Sequence, residues 1–139
     1  MVGWTPTLEL QMADKYSSFE ELKSLEADGA FSIVSRNTGS AIAVAAPHAG
    51  GIEPGTSEIA LEIAGEDLSF YLFEGTKSKG NGDLHITSSR FDEPECIALL
   101  QSCEVVLTVH GEGSYTQAIF LGGKHSALIE AIQHGARKR

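Results

Sequence analysis

Three residues in this chain have the types and spacing of a metal site. His48 stands in "APHAGGIEPG", Glu53 follows five positions later, and His110 stands in "VLTVHGEG". Two imidazoles and one carboxylate hold a divalent cation and leave a fourth position open, as in catalytic rather than structural zinc sites. An open position suits hydrolysis, because the metal lowers the pKa of water and polarises a carbonyl under attack. Read singly, each histidine is more readily a hydrogen-bonded loop residue than a ligand, and H-x4-E spacing also arises by accident. The conjunction is what points to a metal. His85, in "LHITSS", is open to two readings, a third histidine at the rim that meets substrate or a half-buried strand residue. His125 and His134 read as surface residues of the last helix.

Ligands need mounts. The continuous apolar run "AIAVAAP" (41–47) predicts a central strand buried on both faces and ended by His48. A second buried strand, "VVLTVHG" (105–111), delivers His110. Ligand sites of open α/β sheets gather outside the carboxyl ends of such strands. "AGG" gives the loop after His48 freedom to turn Glu53 back, and "TSEIALEIAG" (56–65) follows as a helix capped by Thr56 and stopped by Gly65. The remaining periodicities predict a helix over 17–28 (Phe19, Leu22 and Leu25 on one face) and strands over 31–36, 68–75, 84–89 and 117–123. They also predict a helix over 93–103 with Pro94 in its first turn, and a last helix over 124–139. Strands alternating with helices imply one α/β domain over 1–139, three-layered, with a mostly parallel sheet and helices on both faces.

The chain has 139 residues, 42% of them hydrophobic, enough for one core and too apolar for disorder. A net charge of −9 argues against nucleic acid as a partner, since "ARKR" at 136–139 is the only basic cluster and suits a helix C-terminus. No apolar run spans a membrane, and the N-terminus does not read as a signal peptide, so the expected location is cytoplasmic. Cys96 and Cys103 lie seven apart in a helical pattern, too far for a disulfide, and are expected as two buried thiols.

"APHAGGIEPGTSEIA", "LHITSSRFDEP", and "VLTVHGEG" with "IFLGG" together resemble the poly-γ-glutamate hydrolase family, in the same order, from about residue 15 to the end. Members are zinc-dependent phage and bacterial enzymes, often labelled phage-related replication proteins. The resemblance implies a fold similar to zinc carboxypeptidases, cleavage of γ-amide bonds in poly-γ-glutamate, zinc as cofactor with His48, Glu53 and His110 as ligands, and His85 beside the site as a substrate contact. A phage-encoded member would be released on lysis. The family pattern continues with a further strand and an "ELS"-like segment that carries a proposed general base, and nothing here matches it. The catalytic base is therefore unassigned, with Glu112 read as a rim carboxylate. The alternative is a non-catalytic metal-binding or interaction relative. An uncovered sheet edge leads to the expectation of a homo-oligomer. For a polyanionic substrate, Arg36, Lys77, Lys79 and Arg90 are the candidate local cations.

Overall fold

The structure, a computed structural model, describes residues 13–114 and 117–137. At its centre is β2 (Ile42–Gly50), nine residues that are buried along nearly their whole length. It lies in a four-stranded sheet of order β1-β3-β2-β4, with β1 at Phe31–Arg36, β3 at Ser69–Gly75 and β4 at Val105–Thr108. β2 runs parallel to β3 and β4, whereas β1 pairs antiparallel with β3. The sheet is thus mixed, not mostly parallel. The reason is the short link between β1 and β2, residues 37–41. A parallel crossover needs about a dozen residues or more, so the chain can only reverse.

Helices do cover both faces. The period-two alternation of the strands splits the core accordingly. Ala43, Ala45, Tyr71 and Phe73 meet Phe19 and Leu22 of α1 (Phe19–Leu25), Leu99 of α3 (Pro94–Gln101), and Leu84 and Ile86. Val44, Ala46, Phe70 and Leu72 meet Ala60 and Ala64 of α2 (Thr56–Ala64) on the other face. Ser18 caps α1 and Glu93 caps α3, each side chain accepting from backbone N–H groups of the first turn. Arg36 stacks over Phe70 at 4.8 Å and donates to the Leu68 carbonyl at 2.9 Å, so it braces the foot of α2.

Several expectations need correction. Residues 84–89 do not form a strand. Leu84 closes a 3-10 turn (Asn81–Leu84), and Ser88–Arg90 forms another. The alternation of Leu84 and Ile86 is real, since both are fully buried, but they plug the core without a ladder partner. Residues 117–123 form no strand either; Ile119 is 86% and Phe120 69% exposed. β4 is an edge strand paired on one side only, by β2, and its burial alternates between partial and exposed, so it is not a strand buried on both faces. α2 is capped by Gly55 in the left-handed region (φ 94°), while the Thr56 hydroxyl donates to the Glu53 carbonyl at 2.7 Å. Cys96 is buried and its thiol is pushed up to about 12 by burial and by Glu93, but Cys103 lies beyond α3 and is only half-buried. The last helix, α4, spans Ser126–Ala136 and has no buried residue; His125 is its cap, accepting from the Leu128 N–H. Among the described residues no helix is long and apolar enough to cross a membrane.

Candidate metal centre

β2 does not stop at His48. It continues to Gly50 with an irregularity between Ala46 and Ala49, where the partners on β3 advance only from Leu72 to Glu74. Three steps on β2 therefore match two on β3, which is a bulge of one residue. Pro47 sits inside it and has no N–H to lose from a ladder. Regular alternation would put Ala49 with Ala43 and Ala45; instead it packs with Val44 and Ala46 on the α2 face. The extra residue thus flips the parity and sends His48 to the opposite face, where Ile86 lies.

There His48 is 2% exposed, and its Nε2 lies 2.7 Å from the Ile86 carbonyl oxygen. A carbonyl only accepts, so Nε2 carries the proton and Nδ1 presents its lone pair. Nδ1 faces Glu53 Oε1 at 3.2 Å. Two acceptors confront each other across that gap, which a proton or a cation must fill. The separation is also that of two ligand atoms on one four-coordinate zinc, about 3.3 Å for bonds of this type. The other carboxylate oxygen, Oε2, accepts the Gly111 N–H at 2.8 Å and lies 3.6 Å from His110 Nδ1. Ligand atoms of His48, Glu53 and His110 all fall within 4.8 Å of one another, so the donor set fits a divalent cation. Burial alone would raise the Glu53 carboxyl; with a proton in the gap, the His110 and His48 rings and the Gly111 N–H outweigh it and hold the group well below the usual carboxylate range.

The loop between His48 and Glu53 is held by close approach rather than by freedom. Glu53 N–H donates to the His48 carbonyl at 2.9 Å, and Gly51 N–H to the Gly75 carbonyl at 2.9 Å. Gly50 has φ 62°, and a Cβ there would stand 2.8 Å from the Gly75 oxygen. Ser57 Oγ accepts the Gly50 N–H and donates to Glu74, tying the turn to both α2 and β3. His110 follows β4 by two residues, and Val109 N–H still donates to the Ala45 carbonyl at 2.9 Å. The strand-end mount expected for His110 is present.

His85 does not stand in a strand; it follows the 3-10 turn, and its ring packs against the same centre, 4.0 Å from that of His48. One residue in this wall carried no signal in the sequence. Asp14, its side chain 1% exposed, accepts from His85 Nδ1 at 2.8 Å, from the Thr87 N–H at 2.7 Å and from the Arg90 guanidinium. Burial opposes its charge, but the Thr87 N–H and His85 outweigh that and lower its carboxyl to about 2. Together these residues line an open cleft of about 1100 Å³ with Lys15, Asp83 and Ser88 on its walls. Of the cations expected near a polyanion, Arg90 lines the cleft; Arg36 braces α2 and Lys77 pairs with Glu26 at 3.1 Å. Lys15, not anticipated, is the second cation of the wall. Glu112 is exposed and accepts the Ser114 N–H.

This geometry meets known proteins at several points. YndL of Bacillus subtilis, a UPF0714 protein, is 44% identical over 94% of this chain and 53% of its own length. The SPbeta prophage-derived YoqZ of the same organism is 43% identical over 80% of this chain and 40% of its own. The chain thus spans about half the length of the curated relatives it matches. A solved structure of zinc-free YndL superposes with a TM-score of 0.82 at 44% identity, over 88% of this chain and 62% of that one. A bacteriophage poly-gamma-glutamate hydrolase superposes with a TM-score of 0.68 at 37% identity, over 75% and 52%. With residues 16–139 matching the family pattern as well, this chain belongs to the poly-gamma-glutamate hydrolase family.

Proposed function

We propose that the chain holds zinc through His48, Glu53 and His110 and hydrolyses γ-glutamyl amide bonds of poly-γ-glutamate. The observation that carries this is the confrontation of His48 Nδ1 with Glu53 Oε1 at 3.2 Å, His110 beside them, at the floor of the cleft. Zinc bound by two imidazoles and a carboxylate supplies Lewis acidity and an open position for water or carbonyl oxygen. A structure of YndL distinguished as zinc-free supports zinc as the family's metal. The Ile86 carbonyl fixes the tautomer and direction of the His48 ring, and the Gly111 N–H fixes the Glu53 carboxylate. Lys15 and Arg90 line the cleft, each already paired with a carboxylate (Asp83 at 2.9 Å and Asp14), and their remaining donors are what the wall offers to a polyanion.

A second reading has its own observation. Among the described residues, the carboxylates lining the cleft besides Glu53 are Asp14, engaged by His85, Thr87 and Arg90, and Asp83, 2.9 Å from Lys15. Neither is free to take a proton from water, which favours a metal-binding relative without turnover of its own. Zinc content with release of glutamate oligomers from poly-γ-glutamate supports the first reading. Zinc content with no release supports the second, and failure to take up zinc removes both.

A further inference from the structure

We propose that Asp14 is a positioning residue that sets this cleft to recognise the γ-linkage, by holding His85 as an acceptor and Arg90 as a donor for one and the same glutamyl unit. The inference rests on the hydrolase reading above. In a γ-linked chain, the carbon that bears the amide nitrogen also bears a free α-carboxylate. In an α-linked chain that carboxyl is consumed in the next amide. A site selective for the γ-linkage therefore needs an acceptor for an N–H and, close beside it, a donor for a carboxylate.

Asp14 provides that pairing from one side chain. Its Oδ1 accepts a hydrogen bond from His85 Nδ1–H at 2.8 Å, so in the neutral ring Nε2 is the remaining polar atom, with a lone pair. Its Oδ2 takes one guanidinium nitrogen of Arg90, leaving the other donors of a half-exposed side chain that lines the cleft. The Thr87 N–H on Oδ2 at 2.7 Å prevents the carboxylate from turning away. Stacking of His85 on His48, centroids 4.0 Å apart, sets this wall next to the metal ligands. All three hydrogen-bonded partners of Asp14 are more than seventy residues away in sequence, so the carboxylate acts as a tertiary clamp.

The test is a thermodynamic cycle on the zinc-loaded full chain, with γ-linked and α-linked glutamate oligomers as probes. D14N is expected to raise KM for the γ-linked oligomer about tenfold or more, with a smaller change in kcat, and to add less than about twofold when introduced into H85A/R90A. Preference for the γ-linked over the α-linked oligomer should fall in step, and zinc uptake should stay at the parental level. Equal losses in both backgrounds make Asp14 a merely structural residue and overturn the proposal. Should D14N fail to fold, R90A alone carries the test, since that side chain is half exposed; an unchanged KM and preference overturn the proposal. If the parent does not turn over, the same cycle is read as Kd by calorimetry. A parent that neither binds nor cleaves the oligomer overturns the hydrolase reading and this one with it. Independently of substrate, the 15N shifts of the His85 ring should show the proton on Nδ1 in the parent and a mixture in D14N. A parental proton on Nε2 overturns the proposal even where turnover is robust.

Discussion

Phe73 and Phe120 both stand in apolar runs, and they meet opposite surroundings. Phe73, in β3, is sealed among Phe31, Phe19 and Phe91, with ring centroids 5.1, 6.1 and 5.3 Å away. Phe120 is 69% exposed in a segment without regular structure. The contrast extends to whole regions. Residues 13–111 contain both core clusters and every residue that lines the cleft. The described residues after 111 contain no buried residue, although α4 is amphipathic and Ile119 and Phe120 are apolar. Apolar pattern yields burial only where another element supplies the facing surface, and a strand forms only where a ladder partner exists.

The largest effect separates the two regions directly. Phe73→Ala should cost about 3–5 kcal/mol, the range for emptying an aromatic site in a packed core. Phe120→Ala should stay within about 0.5 kcal/mol. Urea unfolding of both variants checks this, and comparable losses would erase the distinction. A smaller effect comes from glycine. Gly50→Ala forces a left-handed φ of 62° on a side chain and drives its Cβ to 2.8 Å from the Gly75 oxygen, so a loss of about 2 kcal/mol is expected. Gly122→Ala, with nothing within 4 Å of the added carbon, should be near neutral in the same experiment.

A third contrast is acid sensitivity. The Asp14 carboxyl is lowered from 3.8 to about 2 in the fold. A depressed folded value means that the unfolded chain takes up the proton first. The stabilisation is complete above about pH 4 and is lost as pH falls toward 2. Glu53 is shifted in the same direction and adds to the loss. Urea midpoints measured across that window should fall for the parent and fall less steeply for D14N. Parallel slopes would show that the clamp carries no linkage.

How legible the site was follows from how local its determinants are. α1, β1, α2, β3 and α3 fall inside or within a residue or so of the predicted segments, because each announces itself in its own periodicity. His48 and Glu53 stand out together because a strand and a glycine turn lie adjacent in sequence, and His110 stands out by itself because it follows an apolar strand run of its own, 57 residues after Glu53. The bulge that turns His48 toward Ile86 is absent from the predicted strand, although Pro47 inside a strand run is the signal for it. The Leu84–Ile86 alternation predicts a strand that the fold lacks, since period two records burial of alternate residues and does not record a hydrogen-bonded neighbour. The mixed sheet could have been deduced from the short link after Arg36. Asp14 could not: its role exists only once the fold brings it to His85, a separation of 71 residues.

The measurement that bears most directly on the account is the metal stoichiometry of the parent beside Glu53→Gln and His110→Ala. These two are better probes than His48→Ala. His48 is buried, and its loss would also strand the Ile86 carbonyl, at a cost of about 1–3 kcal/mol. Elemental analysis and zinc titration should give about one zinc per parent chain. Affinity should be weakened in Glu53→Gln and lost in His110→Ala, with both variants retaining the parental circular dichroism spectrum. A parent that takes up no zinc, or variants that bind it as tightly as the parent, would contradict the assignment of His48, Glu53 and His110 as the metal centre.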